Sequence, residues 1–302
     1  MPNTKISFHL ILALIIATAL YLVATKNGNI LTYDSCNYIG AAQNYAEKGE
    51  LLTLNGETLI FWPPLYPLIL SLSYPYIQQF VKIFNLLCLL GISTCWWELS
   101  KVYFKTIAGK AFILLLAGST LLLMDAVFVL TELFFILLFS VYILLMDRYL
   151  RADQKRYLIA ATFMAFLMLL QRNAGIFVFT FFNIGLFLFS KGNYLTKGKT
   201  IGSHYMLGMS GIMTWNICKF YFERQIEIIQ ELVPYLAFSR NIKLVLKGIG
   251  SNFIPANPEP VFAILVAIVI LAFVLYYSLY VRKEALVRIL GLTLCGYVLI
   301  WL

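Results

Sequence analysis

Charged residues are scarce in this chain of 302 residues. Only 12% of the residues are charged, whereas 61% are apolar, and the mean hydropathy is +0.84. A soluble globular domain carries about 25% charged residues and about 45–50% apolar ones. This scarcity excludes an ordinary soluble enzyme and a disordered protein, and it indicates a protein whose helices lie in a membrane.

Cysteine and histidine are also few, and they form no chelating pattern. The five cysteines include no CxxC pair, and neither of the two histidines, His9 and His204, has a cysteine cluster nearby. The sequence therefore predicts neither a disulfide framework nor a zinc site. Both histidines are expected near the cytoplasmic side, and we predict no metal and no other cofactor.

The net charge of +9 raises the question of nucleic-acid binding. The basic residues, however, lie in short loops between apolar runs and do not form one continuous basic face. This arrangement is typical of the residues that set membrane topology. We therefore expect no nucleic-acid partner.

Nine apolar runs are candidates for membrane spans, since a span needs roughly 20 apolar residues. They predict an all-α polytopic membrane protein with about nine transmembrane helices in a single membrane-embedded domain, residues 1–302. The first run is interpreted as an uncleaved span; a signal peptide cleaved after Ala17-Thr18-Ala19 is the alternative. The runs are Ile6–Thr25, Gln79–Leu99, Ile107–Met124, Ala126–Met146, Tyr157–Leu170, Ala174–Phe189, Ile201–Cys218, Val261–Tyr280 and Ala285–Leu302.

The distribution of charge predicts the orientation. With the N-terminus in the cytoplasm, 14 of the 23 basic residues and only four of the 14 acidic residues fall on the inner side. Cytoplasmic loops are enriched in Lys and Arg, so this orientation is favoured. Two long polar segments, residues 26–64 and 219–260, then lie outside, and the chemistry is expected there.

The first outer segment contains a predicted amphipathic helix and a proline-rich entry to a second one. Asp34 and Ser35 are good helix N-caps, and Gly49 is a good C-terminal stop. A short run, Leu65–Ser73, follows Pro63 and Pro64; it is too short to span and is interpreted as an interfacial or re-entrant helix. The simplest interpretation of Asp34 is that it caps the helix.

Several short motifs, in this order along the chain, resemble the GT-C glycosyltransferases. The similarity is greatest to the branch of protein mannosyltransferases, aminoarabinose transferases and RgtA–D-like enzymes, and it covers roughly residues 1–220. One departure is Ser35, where some members of the family have an acid. The matching residues are Asp34, Tyr38, Ala41, Ala42, Gly49, the segment Pro63–Leu68, the segment Thr131–Phe134 and the segment Leu170–Gly175.

The resemblance implies a GT-C-like fold and transfer of a sugar from a polyprenyl-phosphate donor to an acceptor on the non-cytoplasmic face. The acceptor would be a glycan, a lipid or a protein, and the membrane a bacterial inner membrane. Inversion in a single displacement needs a base for the acceptor and stabilisation of the leaving phosphate. By resemblance, Asp34 is the expected general base, and Tyr38 and Tyr66 are expected to bind substrate.

Three further residues on the outer side are candidates for substrate binding. Asp125 is expected in a short outer turn, Leu123–Val127, where it is alternatively an ordinary loop residue. Glu132 falls within an apolar run, where a carboxylate usually has a function or a partner. Asp125 and Glu132 are expected to hold the acceptor or a sugar hydroxyl, or to pair with Arg172. Arg172 is suited to a phosphate through its planar set of donors, or is a residue that extends from the end of a span to the interface.

The second outer segment supplies two more candidates, Arg240 and Lys243. With Lys247 they share roughly one face of a helix on the membrane surface, where they would bind the donor phosphate or only lipid headgroups.

Two other classes of protein remain alternatives. A transporter or flippase for a lipid-linked sugar would show paired repeats and charges near the middle of the membrane; no repeat is evident, and the isolated charges lie at the outer boundary. A non-catalytic scaffold would leave Asp34, Glu132 and Arg172 unrelated in space.

Overall fold

The computed structural model describes residues 7–59, 62–104, 106–222, 260–282 and 284–301. These residues are almost entirely helical, and they contain only two isolated β-bridges, Ile30–Phe128 and Leu52–Thr58. The predicted all-α class is confirmed.

The described residues form twelve α-helices, separated mostly by short turns. A π-helical turn, Tyr277–Val281, extends the eleventh helix. The helices are α1 Phe8–Ala24, α2 Tyr33–Lys48, α3 Leu65–Ser71, α4 Ile77–Tyr103, α5 Thr106–Ala117, α6 Thr120–Val127, α7 Glu132–Ala152, α8 Lys155–Gln171, α9 Gly175–Phe189, α10 Tyr194–Phe222, α11 Pro260–Tyr276 and α12 Ala285–Trp301.

Three stretches in the described residues are long and apolar enough to cross a membrane. They are Ile77–Tyr103, Ile107–Val127 and Glu132–Ala152. Four apolar helices of 10–17 residues accompany them: Phe8–Ala24, Gly175–Phe189, Ile268–Val281 and Ala285–Tyr297. The chain is thus a helical membrane protein, and the count of nine spans stays a prediction, because three stretches of the described residues have the length and apolarity of a span.

The chain folds as two compact units. The first consists of Met1–Asn173 and Ser210–Trp215, and the second of Ala174–Met209 and Asn216–Leu302. All candidate site residues in the described part of the chain belong to the first unit.

The core of the first unit is formed where α1 packs against α4 and α5. The buried residues of α1 recur every three or four positions, as one face of a helix requires: Leu10, Ala13, Ala17 and Tyr21. A second cluster of buried residues joins α2 and α3 to the beginning of α4, and it includes Tyr38, Tyr66, Ile77 and Val81.

One predicted boundary is wrong. The break between the third and fourth runs was expected at Asp125, whereas the helix is interrupted at residues 118–119 and the next connection is residues 128–131. Gly118 weakens the helix, and the Ser119 hydroxyl accepts a hydrogen bond from the backbone N–H of Leu122, 3.4 Å away, and so starts α6. Asp125 therefore lies in the last turn of α6 and not in an outer turn.

In the second unit, α9 packs closely against α12. Gly185 makes this approach possible, because a Cβ at that position would lie 3.1 Å from the Cα of Ile289. Thr180 and Tyr205 share a hydrogen bond of 3.0 Å between their hydroxyls and join α9 to α10.

Candidate functional site

A parallel backbone bridge brings the beginnings of α2 and α7 together. The N–H of Ile30 donates to the carbonyl of Val127 at 3.0 Å, and the N–H of Val129 donates to the carbonyl of Ile30 at 3.1 Å. Asp34 follows Ile30 by four residues, and Glu132 follows Phe128 by four residues. Because the two segments run in the same direction, both carboxylates lie beyond the same end of the bridge. Both carboxylates thus lie in the first turn of a helix, where the helix dipole stabilises negative charge.

Two asparagines fix this bridge to the helices around it. The side-chain amide of Asn85, which is 1% exposed, donates to the carbonyls of Ala126 at 2.9 Å and Phe128 at 3.0 Å. The amide of Asn29 donates to the carbonyl of Val127 at 3.0 Å. These bonds satisfy carbonyls at the C-terminus of α6 that have no partner within the helix.

The sequence interpretation had missed both asparagines. Asn85 could have been found from the sequence, because it is a polar residue inside the apolar run Gln79–Leu99. A polar group in such a run needs a partner. Asn29 lies in a polar segment, where nothing sets it apart from its neighbours.

Asp34 is not the cap of α2. Thr32 is the N-cap: its hydroxyl accepts from the N–H of Ser35 at 3.2 Å, and the Ser35 hydroxyl accepts from the N–H of Thr32 at 2.9 Å. This reciprocal capping box satisfies the end of the helix without Asp34. Among the described residues, the Asp34 carboxylate is neither hydrogen-bonded nor ion-paired, so the capping interpretation does not account for it.

Glu132 and Arg172 form an ion pair. Their charged atoms, Oε1 and Nη1, are 2.5 Å apart, and the two side chains are 32% and 35% exposed. Thr131 and Gln171 hold the two backbone segments together, because the side-chain amide of Gln171 donates to the carbonyl of Thr131 at 3.3 Å. The Thr131 hydroxyl also donates to the carboxylate of Glu132 at 3.4 Å.

Thr131 and Gln171 belong to the sequence motifs, but the motifs alone give them no role. Gln171 is fully buried and Thr131 is 4% exposed. Their position indicates that they orient the ion pair.

The electrostatic environment of Asp34 is set by this ion pair. Burial raises the pKa of the Asp34 carboxyl above its ordinary value, the negative charge of Glu132 raises it further, and the positive charge of Arg172 opposes the shift. Asp125 also lies within electrostatic range of Glu132 and Arg172. The structure therefore places Asp34 and Asp125 each within electrostatic range of the Glu132–Arg172 ion pair.

Tyr38 lies one helical turn after Asp34 and forms the apolar wall of the site. It is 3% exposed, and its ring packs edge-on against Trp62 and Tyr66, with centroid distances of 5.9 and 5.5 Å. Burial raises the pKa of the Tyr38 hydroxyl, which stays neutral.

Tyr66 lies behind Tyr38. It has no exposed surface, and its hydroxyl has no hydrogen-bond partner among the described residues. Tyr66 thus supports Tyr38 from behind and is not positioned to contact a substrate that enters from solvent.

The remaining predicted binding residues, Arg240 and Lys243, lie outside the described residues, as does Lys247. In the described ranges, no three His, Cys, Asp or Glu side chains are grouped closely enough to hold a metal ion.

No protein-family model matches the chain, and no curated protein matches it. The resemblance to GT-C enzymes therefore depends on the motifs alone.

Proposed function

We propose that this protein is a membrane glycosyltransferase that transfers a sugar from a polyprenyl phosphate to an acceptor hydroxyl or amine, with inversion. The observation that carries the proposal is the position of Asp34. It is a half-buried carboxylate in the first turn of a helix, with no bonded partner in the part of the chain that the structure describes. It lies within electrostatic range of a cation suited to phosphate.

In the proposed reaction, Asp34 accepts the proton of the acceptor as the acceptor oxygen or nitrogen attacks the anomeric carbon. The bond from that carbon to the phosphate oxygen breaks, and polyprenyl phosphate leaves with the electron pair. The raised pKa of Asp34 supports this role, since a more basic carboxylate accepts a proton more readily. Arg172 stabilises the charge of the departing phosphate.

The other residues shape the site around these two. Glu132 orients Arg172, and Asp125, which lies within electrostatic range of both, binds a hydroxyl of the sugar or of the acceptor. Tyr38, which is buried, packs beneath them and supports the helix that carries Asp34. In this proposal, Arg240 and Lys243 add positive charge for the phosphate from the second polar segment.

We propose nine spans in a bacterial inner membrane, with the N-terminus in the cytoplasm and the site facing outward. The bias of Lys and Arg toward one set of loops supports this orientation. The partners are then the lipid-linked donor, the surrounding membrane lipid and a glycan, lipid or protein acceptor.

The test is transfer of a labelled sugar from polyprenyl phosphate to endogenous acceptors in membranes. Membranes that contain the protein should form labelled product, and membranes without it should not. Arg172→Gln should reduce transfer at least about a hundredfold, the effect typical of losing one donor to the transition-state charge.

Lys101→Gln is the matched control, because Lys101 belongs to an ion pair of the same 2.5 Å length with Glu98. It should transfer at the normal rate. Equal product from membranes with and without the protein would refute the proposed activity.

A further inference from the structure

The guanidinium of Arg172, the cation of the site, is already paired with a carboxylate. Arg172 has its ion pair with Glu132, and in the described part of the chain it is the cation that acts on both Asp34 and Asp125. One carboxylate, that of Glu132, thus contacts the guanidinium, and two more, those of Asp34 and Asp125, lie within electrostatic range of it. When all are ionised, an incoming phosphate meets a negative excess, so it cannot simply be added to the existing pair.

The ion pair is nevertheless accessible and easy to separate. About a third of each side chain is exposed, and ion pairs with such exposure contribute little to stability because water solvates the separated charges. The sugar-linked phosphate of the donor is a diester with one negative charge, as a carboxylate has, but it gains charge as its bond to the sugar breaks. Its free oxygens match the planar donors of arginine well. The departing phosphate monoester carries more charge than a carboxylate, so it is a stronger partner for Arg172 than Glu132 is.

We infer that Glu132 is a resident counter-ion, whose carboxylate holds Arg172 in place until the phosphate of the lipid donor displaces it. This inference rests on the proposed function and adds a competition between one residue of the protein and its substrate. Thr131 and Gln171 keep both segments fixed in either state, because they join the backbone of one segment to the side chain of the other. The exchange then needs only the side chains of Glu132 and Arg172 to move.

The test is equilibrium binding of farnesyl phosphate to the purified protein in detergent. Glu132→Gln removes the competitor, and it should bind farnesyl phosphate about two- to fivefold more tightly than the unaltered protein, as expected for a partly exposed ion pair. Arg172→Gln should bind at least about tenfold more weakly. Glu98→Gln, which breaks the ion pair with Lys101 elsewhere on the protein, should leave the affinity unchanged.

Two further ligands distinguish the source of the phosphate. Farnesol lacks the charge, and its affinity should not respond to Glu132→Gln. Inorganic phosphate should show the same direction of change as farnesyl phosphate but weaker binding, since it has no lipid chain. If inorganic phosphate binds as tightly as farnesyl phosphate, the lipid-donor form of the inference is wrong.

The outcomes separate this inference from the proposed function. Suppose that Glu132→Gln binds farnesyl phosphate no more tightly than the unaltered protein, while Arg172→Gln binds it more weakly. That result overturns the counter-ion role of Glu132 and leaves the glycosyltransferase proposal intact. No effect of Arg172→Gln removes the basis of both. If Glu132→Gln does not fold, Glu132→Asp replaces it. The shorter side chain of aspartate loosens the same ion pair, so this variant should also bind farnesyl phosphate more tightly. Unchanged or weaker binding by Glu132→Asp overturns the inference.

Discussion

Replacing Asn85 with alanine would remove two hydrogen bonds that hold the end of α6 and the bridge beside it. Each bond contributes about 0.5–1.5 kcal/mol, and a buried carbonyl left without a partner costs about 1–3 kcal/mol. The carbonyl of Ala126 keeps a longer contact of 3.4 Å with Asn29, so the penalty for a lost partner falls mainly on the partly buried carbonyl of Phe128. We therefore expect a loss of about 2–4 kcal/mol in the free energy of unfolding.

The assay is unfolding of the protein in mixed micelles by increasing the fraction of denaturing detergent. Ser93→Ala is the control, because Ser93 is also buried on α4 but donates only to Leu89 of its own helix. That change should cost less than about 1 kcal/mol. A cost for Asn85→Ala no larger than that for Ser93→Ala would refute the reasoning that Asn85 holds α6.

The pH dependence of transfer should respond to the two charges beside Asp34, because a base must be ionised and activity is lost as the pH falls through its pKa. Glu132→Gln removes a charge that raises this pKa, so the acid limb of the rate profile should move to lower pH; Arg172→Gln should move it to higher pH. Identical acid limbs would contradict the assignment of Asp34. Separately, Gly40→Ala should lower the melting temperature measurably, because its Cβ would lie 2.7 Å from the backbone nitrogen of Leu54; an unchanged melting temperature would show that the loop moves freely.

Local patterns predicted most of the secondary structure. The helix expected from Asp34 to Gly49 is present as Tyr33–Lys48, and Gly49 ends it at a φ of 76°. The short run after Pro64 is present as the helix Leu65–Ser71. These features depend on residues close together in the chain, where propensity and capping decide the structure.

The contacts that build the site depend on distant residues and could not be read in the same way. The bridge between Ile30 and Phe128 joins segments almost a hundred positions apart, and Asn85 acts from a third segment. A carboxylate in an apolar run suggests a turn, so the sequence predicts the break at Asp125, whereas the helix is broken at Gly118. The neighbours of Asp125 in α6 are good helix formers, so the helix continues past it.

The most direct test of the central claim is the rate of a single round of transfer by Asp34→Asn. Asparagine keeps the size of the side chain but cannot accept the proton. Asp153→Asn is the control, because Asp153 ends α7 in a left-handed conformation, with a φ of 50°, that asparagine also adopts readily. Asp34→Asn should fold normally and show a rate at least about a hundredfold lower, while Asp153→Asn keeps the normal rate. Transfer by Asp34→Asn at the normal rate would contradict the account.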